Sequence, residues 1–320
     1  MKKTERLVFY YDLSIRAESR TFEAPKPISV KKAFQLMELM PMENRLKEAS
    51  KGREQFYVSD WKWEDDLISI LINKSDKGMS DPVFTIPKEK KRRTAEKQEK
   101  EGQDFSVHVM VQLAQDDQQA ALVLIENCAG LGVYAVQRLL NQILHDAKQF
   151  NPLDYEQFHP DGAVDDKGKP KKYNVDFKCE FKGHISDDLK YDLDNGKIQS
   201  IELITEKEKH ISIDEDGYIK EKCKILVLTL KDEGNPVKDK FNRIKKVITN
   251  KKDDYSLARI KFKTPTGVDR TVAMDANDVL AQSYVKKEKL DGFEFDLKSS
   301  YEKFCDAILE KMKNLLQLRE

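Results

Sequence analysis

Apolar residues recur along this chain with two periods, every second position or every third and fourth, and the switches between them mark its elements. Residues 7–14, LVFYYDLS, are apolar and aromatic and predict a first strand. Past Pro25-Lys26-Pro27, Ser29 is placed to cap a helix that buries Val30, Ala33, Phe34 and Met37, with Pro41 as its stop. FYVS at 56–59 and DLISILIN at 66–73 predict further strands, and FSVHVMVQL at 105–113 alternates as a half-buried strand does. Between them, residues 79–101 lose all apolar period, which predicts an exposed connection or a helix without a buried face. From Gln119 to Ala147 the pattern is strand, glycine-containing loop and helix, the helix striped by Val133, Val136, Leu139, Leu140, Ile143 and Leu144.

Asn151 to Lys172 is rich in Pro, Gly and charge, and predicts a linker or surface loop between domains at 1–150 and 173–320. The second domain opens with the strand KYNVDFKCEFKGHI. Asn195-Gly196 signals a hairpin, Asp216-Gly217 another turn, and KILVLTL at 224–230 a buried strand. Val237, Phe241, Ile244, Val247 and Ile248 then recur at helical spacing. YSLARIKFK and VDRTVAM flank Thr264-Pro265-Thr266-Gly267 as a second hairpin. A long last helix, 299–318, would carry Tyr301, Phe304, Cys305, Ile308, Met312 and Leu315 on its stripe, packed on its own domain or on a second copy. The expected class is α+β, two domains of mixed, mainly antiparallel sheet with packed helices.

Charge changes this picture at two places. The 57 basic and 57 acidic residues cancel overall, yet Lys238 to Lys252 holds seven Lys/Arg against the single Asp239. A polyanion responds to the local field and not to the total, so Lys238, Lys240, Arg243, Lys245, Lys246, Lys251 and Lys252 are candidate phosphate contacts. The second block, Lys88 to Lys100, adds Lys90, Lys91, Arg92 and Arg93. Neither block sits in a recognisable base-reading motif, and Phe241, the one aromatic of the first, belongs to its apolar stripe. Non-specific contact with double-stranded DNA is therefore the expected mode, strengthened if two copies bind together.

Other chemistry is thin. Cys128, Cys179, Cys223 and Cys305 are scattered without a CxxC pair, and no HxH, HExxH or GxSxG is present. Gly130 and Gly132 form only an isolated GxG. Asp176 with Glu180 and Lys182 outlines a metal-dependent nuclease site, although outward charges on an alternating strand would look the same. A protein-interaction module is a third reading. No cofactor is expected. Without a run of some 20 apolar residues or a signal-peptide core, the chain reads as cytoplasmic.

The order of elements resembles that of the RexA and KwaB phage-exclusion and anti-phage defence proteins. The likeness rests on VFYYDLS, LVLIENCAGLGVYAVQRLLNQIL and YSLARIKFKTPTGVDRTVAM followed by a polar stretch and a long helix. This resemblance implies an α+β protein that self-associates, binds DNA with little sequence preference and acts in phage defence.

Overall fold

The computed structural model describes residues 2–116, 120–128, 130–183, 187–205, 224–230, 239–251, 254–275 and 285–317. Its class is α+β, and the chain divides into two compact units, residues 1–181 with 288–320, and residues 182–287. The expected boundary segment, 151–172, lies within the first unit. There the Pro- and Gly-rich stretch folds on itself: β9 (Glu156–Phe158) pairs with β10 (Lys172–Asn174), and a bridge joins Val164 to Pro170.

The first unit is built on one large sheet containing β1 (Arg6–Glu18), β2 (Leu46–Ala49), β3 (Glu54–Glu64), β4 (Leu67–Asp76), β7 (Gln103–Gln112), β8 (Ala121–Glu126), β11 (Asp176–Gly183) and β16 (Lys287–Leu290). The strands run in the order β11-β1-β8-β7-β4-β3-β2, with β16 also paired to β1. The pairs from β1 across to β2 are antiparallel. On one face lie α1 (Val30–Glu38), capped by Ser29 as expected, and α2 (Val133–Asp146). Their stripes meet Ile68, Ile70, Ile72, Val107, Val109, Val111, Val123 and Ile125, an apolar layer throughout.

The opposite face is different. β7 was expected to be half-buried, and its residues do alternate, but Ser106, His108 and Met110 are as buried as the valines between them. A C-terminal segment, 297–305, and α5 (Asp306–Gln317) cover this side, with Val8, Tyr10, Met110 and Leu124 packed against Ile308, Met312 and Leu316. The apolar stripe of α5 is thus buried on its own unit. Tyr301 and Phe304 precede the helix, which is shorter than its apolar spacing implied.

Buried polar side chains of the sheet meet the backbone of that covering segment. Tyr301 N–H donates to Ser106 Oγ at 2.9 Å, Asn73 Nδ2 donates to Tyr301 O at 3.0 Å, and an Arg6 NH2 group donates to Lys298 O at 2.6 Å. Cys305 N–H donates to His108 Nε2 at 3.0 Å, which leaves the ring proton on Nδ1, facing Glu126 Oε2 at 2.7 Å. Glu126 in turn lies 2.6 Å from Arg6 Nε, an ion pair not aligned as a hydrogen bond. Asp104 gathers Tyr57, Asn73 and Ser300 in the same layer, holding the Tyr57 phenol, by burial first and by its charge second, well above its usual range.

Residues 79–101 are largely exposed, as expected, but carry regular structure, with a 3-10 turn at Pro87–Glu89. They contain β5 (Val83–Ile86) and β6 (Lys91–Thr94), a two-stranded antiparallel hairpin paired, among the described residues, only with itself.

The second unit is a sheet in the order β13-β12-β14-β15, formed by β12 (Lys197–Thr205), β13 (Lys224–Leu228), β14 (Leu257–Lys263) and β15 (Asp269–Asp275). One face carries α3 (Asp187–Asn195) and α4 (Lys240–Asn250) over a core of Leu189, Leu193, Ile201, Leu203, Ile260 and Phe262. Asn195-Gly196 is not a hairpin turn: it ends α3 and leads into β12, and Gly196 N–H donates to Asp192 O at 2.8 Å. Glycine is required there because a Cβ would lie 2.3 Å from Asp192 O and 2.4 Å from Lys263 O. KILVLTL, expected to be buried, is an edge strand with Ile225 and Val227 exposed. The hairpin at Thr264 to Gly267 is as expected, while Asp216-Gly217 lies outside the described residues.

Breaking the buried pair should be costly, since Glu126→Gln leaves the Arg6 guanidinium in the core without a counter-charge. We expect a loss of about 3–5 kcal/mol in urea unfolding. Adding Arg6→Met should recover part of it; strictly additive losses would mean that the two side chains do not act as a pair.

Candidate nucleic-acid interface

An eleven-residue helix with little Ala and Leu is too short to persist alone, so α4 depends on what it packs against. Phe241, Ile244 and Ile248 are buried against the second unit's sheet, at roughly 1.5–3 kcal/mol for each fully buried side chain. Val247 is 39% exposed and contributes less, and Val237 lies outside the described residues. The helix start is capped from a distance. Asp239 sits in the left-handed region at φ 62° and its side chain accepts from Asn242 Nδ2, while Asp194, on α3, accepts the Phe241 N–H at 2.9 Å.

This anchoring turns Arg243, Lys245 and Lys246 to solvent, with Lys251 exposed just past the helix. Among the described residues no acid forms an ion pair with any of the four. Three other cations of the second unit are paired: Lys261 and Arg259 lie 2.5 Å and 3.1 Å from Glu202, holding its carboxyl below the usual range, and Arg270 lies 3.4 Å from Asp192. Lys240 departs from the expected role, because its Nζ donates to Gly196 O at 2.9 Å and ties α4 to the end of α3. Lys238 and Lys252 lie outside the described residues.

The second basic block falls on the β5–β6 hairpin of the first unit. Lys90, at φ 54°, closes the turn, and Lys91, Arg92 and Arg93 lie along β6, all exposed. Lys91 is 2.8 Å from Glu89, and the Arg93 guanidinium lies 4.8 Å from the centre of the Phe84 ring.

The nuclease outline on β11 is divided among separate partners. Asp176 and Glu180 share the outward face four residues apart, about 13 Å along an extended strand, too far for one metal ion to bridge. Asp176 lies 3.3 Å from Lys148 and 3.8 Å from His145, and Glu180 lies 2.9 Å from Arg16. Lys182 is exposed on the same strand. Asp176 also borders a surface groove of about 1140 Å³ with Glu18, Arg20, Tyr134, Arg138 and His145. Several of the groove's charges are already paired, Lys47 with Asp146 at 2.7 Å and Lys178 with Glu18 at 2.5 Å.

The Gly130-containing loop is a tight turn closed by a bridge between Cys128 and Leu131, and Gly132 opens α2. Burial pushes the Cys128 thiol up to about 11 and the Cys179 thiol up to about 12, which suits neither to act as a thiolate near neutral pH. Among the described residues no helix is long and apolar enough to cross a membrane.

Two measurements separate structural from solvent-facing groups. Lys240→Ala should lower stability by about 1.5 kcal/mol through loss of a charged hydrogen bond, while Lys245→Ala and Lys246→Ala each stay within about 0.5 kcal/mol; equal effects at all three would contradict the assignment. Alkylation of Cys128 and Cys179 at pH 8 should proceed only at the rate of unfolding, and rapid labelling of the native protein would contradict their burial. Comparison of the chain with protein-family models, with curated proteins and with solved structures found no match.

Proposed function

We propose that this protein binds double-stranded DNA without reading its sequence, and that it does so in phage defence or exclusion, the role implied by its resemblance to the RexA and KwaB proteins. The observation that carries the binding reading is the solvent face of α4. Arg243, Lys245, Lys246 and Lys251 stand there without acidic partners among the described residues, on a helix whose other face is fixed in a core. Such an arrangement holds positive charge in place without a binding-time ordering cost for the backbone. Flexible Lys side chains suit phosphate oxygens, whose positions repeat along any duplex, better than they suit a fixed pattern of base edges.

Neutral total charge is compatible with this role, because two acids of the second unit, Glu202 on β12 and Asp192 on α3, are engaged with their own cations. Self-association, which the resemblance also implies, would use a surface other than the apolar stripe of α5.

Duplex affinity should fall linearly on a log–log plot against salt concentration, by about 0.9 in slope for each phosphate neutralised. Lys245→Ala with Lys246→Ala should flatten the slope by about 1.8, and Lys245→Glu with Lys246→Glu should abolish binding near 150 mM salt. A duplex affinity that ignores salt and both double substitutions would rule the proposal out.

A further inference from the structure

The β5–β6 hairpin presents large apolar side chains to solvent. Val83, Phe84 and Ile86 are 55%, 53% and 51% exposed, and every residue of both strands faces solvent. An isolated two-stranded hairpin is marginal in water, and among the described residues this one is paired with no other strand. Its apolar residues are therefore placed neither for the core nor for solubility.

Register sorts them. Phe84 stands opposite Arg93, and Ile86 opposite Lys91, so these four side chains share one face of the ribbon. Val83, Thr85, Arg92 and Thr94 share the other. Residues 83–94 carry five basic side chains against the single Glu89, a net charge of +4 that selects a polyanionic occupant. A duplex offers phosphates on both sides of a groove and apolar base methyls within it. At about 12 Å its major groove admits a two-stranded ribbon whose strands are about 4.8 Å apart.

We propose that the β5–β6 hairpin is an arm that enters the major groove of duplex DNA, laying Phe84 and Ile86 against the base edges while Lys88, Lys90 and Arg92 contact the flanking phosphates. This rests on the DNA-binding reading but uses an element outside α4 and a different contact chemistry. The apolar contact contributes affinity without releasing counterions, whereas each phosphate contact contributes to the salt dependence.

The two parts come apart in one titration series with a labelled 30-base-pair duplex over a range of salt. Phe84→Ala with Ile86→Ala is expected to weaken binding about tenfold at every salt concentration with the slope unchanged. Lys90→Ala with Arg92→Ala should flatten the slope by about 1.8. Because these side chains are exposed and, among the described residues, the hairpin pairs only with itself, urea unfolding of both variants should match the parent protein. If both hairpin variants bind like the parent while Lys245→Glu with Lys246→Glu does not, DNA binding stands and the arm is refuted; an acidic protein segment as the hairpin's occupant would give this same result. Failure of the parent protein to bind duplex at all would refute both readings. Equal protection of guanine N7 from methylation with and without bound protein would refute major-groove placement.

Discussion

The first unit depends on a polar layer that would be a fault in most sheets. One face of the large sheet is apolar and is closed by α1 and α2, in the ordinary manner of a helix-covered sheet. The other face carries Arg6, Asn73, Ser106, His108 and Glu126, all buried. Each would cost free energy if stripped of water without partners. What makes their burial tolerable is the backbone of 297–305, whose N–H and C=O groups meet Ser106, Asn73, Arg6 and His108. An irregular segment has unpaired backbone groups to offer, which a helix does not, so an irregular cover suits a polar face.

That layer also limits which side chains can do chemistry. His108 would draw attention as a buried histidine beside a carboxylate. Yet its Nε2 accepts a backbone N–H of the C-terminal segment and its Nδ1 faces Glu126 within the sheet, so both nitrogens are engaged. Glu126 is shared between His108 and Arg6. A general base needs a free lone pair directed toward a reacting proton, and this histidine has none to spare.

Much of the architecture was legible in local pattern. Ser29 as a cap, the strand at β4, the alternation of β7, the stripe of α2 and the hairpin around Gly267 all follow from rules acting within a few residues. The misreadings occurred where partners lie far away in sequence. Alternation in FSVHVMVQL correctly sorted its residues onto two faces, but nothing local indicates that residues 297–305, almost 200 positions later, cover the polar one. Asn195-Gly196 fits a hairpin as well as a helix end, and the deciding contact, with Lys263 O, is distant. Residues 79–101 lack period because both faces of their hairpin meet solvent, and period arises only when one face is buried. For the candidate interface, composition identified the basic stretch and spacing its helical form, yet neither could separate Lys240, held at Gly196 O, from Lys245 and Lys246.

That separation matters for how a charged surface should be judged. A count of lysines treats each as an equal source of field, whereas a side chain already donating to a carbonyl must give up that bond before it can meet a phosphate. On α4 the division follows from position: Lys240 lies at the helix start, where the end of α3 supplies a carbonyl, and Arg243, Lys245 and Lys246 lie beyond its reach on the faces not used by Phe241, Ile244 and Ile248. The same reasoning distinguishes Glu202, engaged by two cations, from an acid able to neutralise α4. The positive field available to a ligand is set by what the fold leaves unpaired, and it can be strong on one helix of a chain whose charges sum to zero.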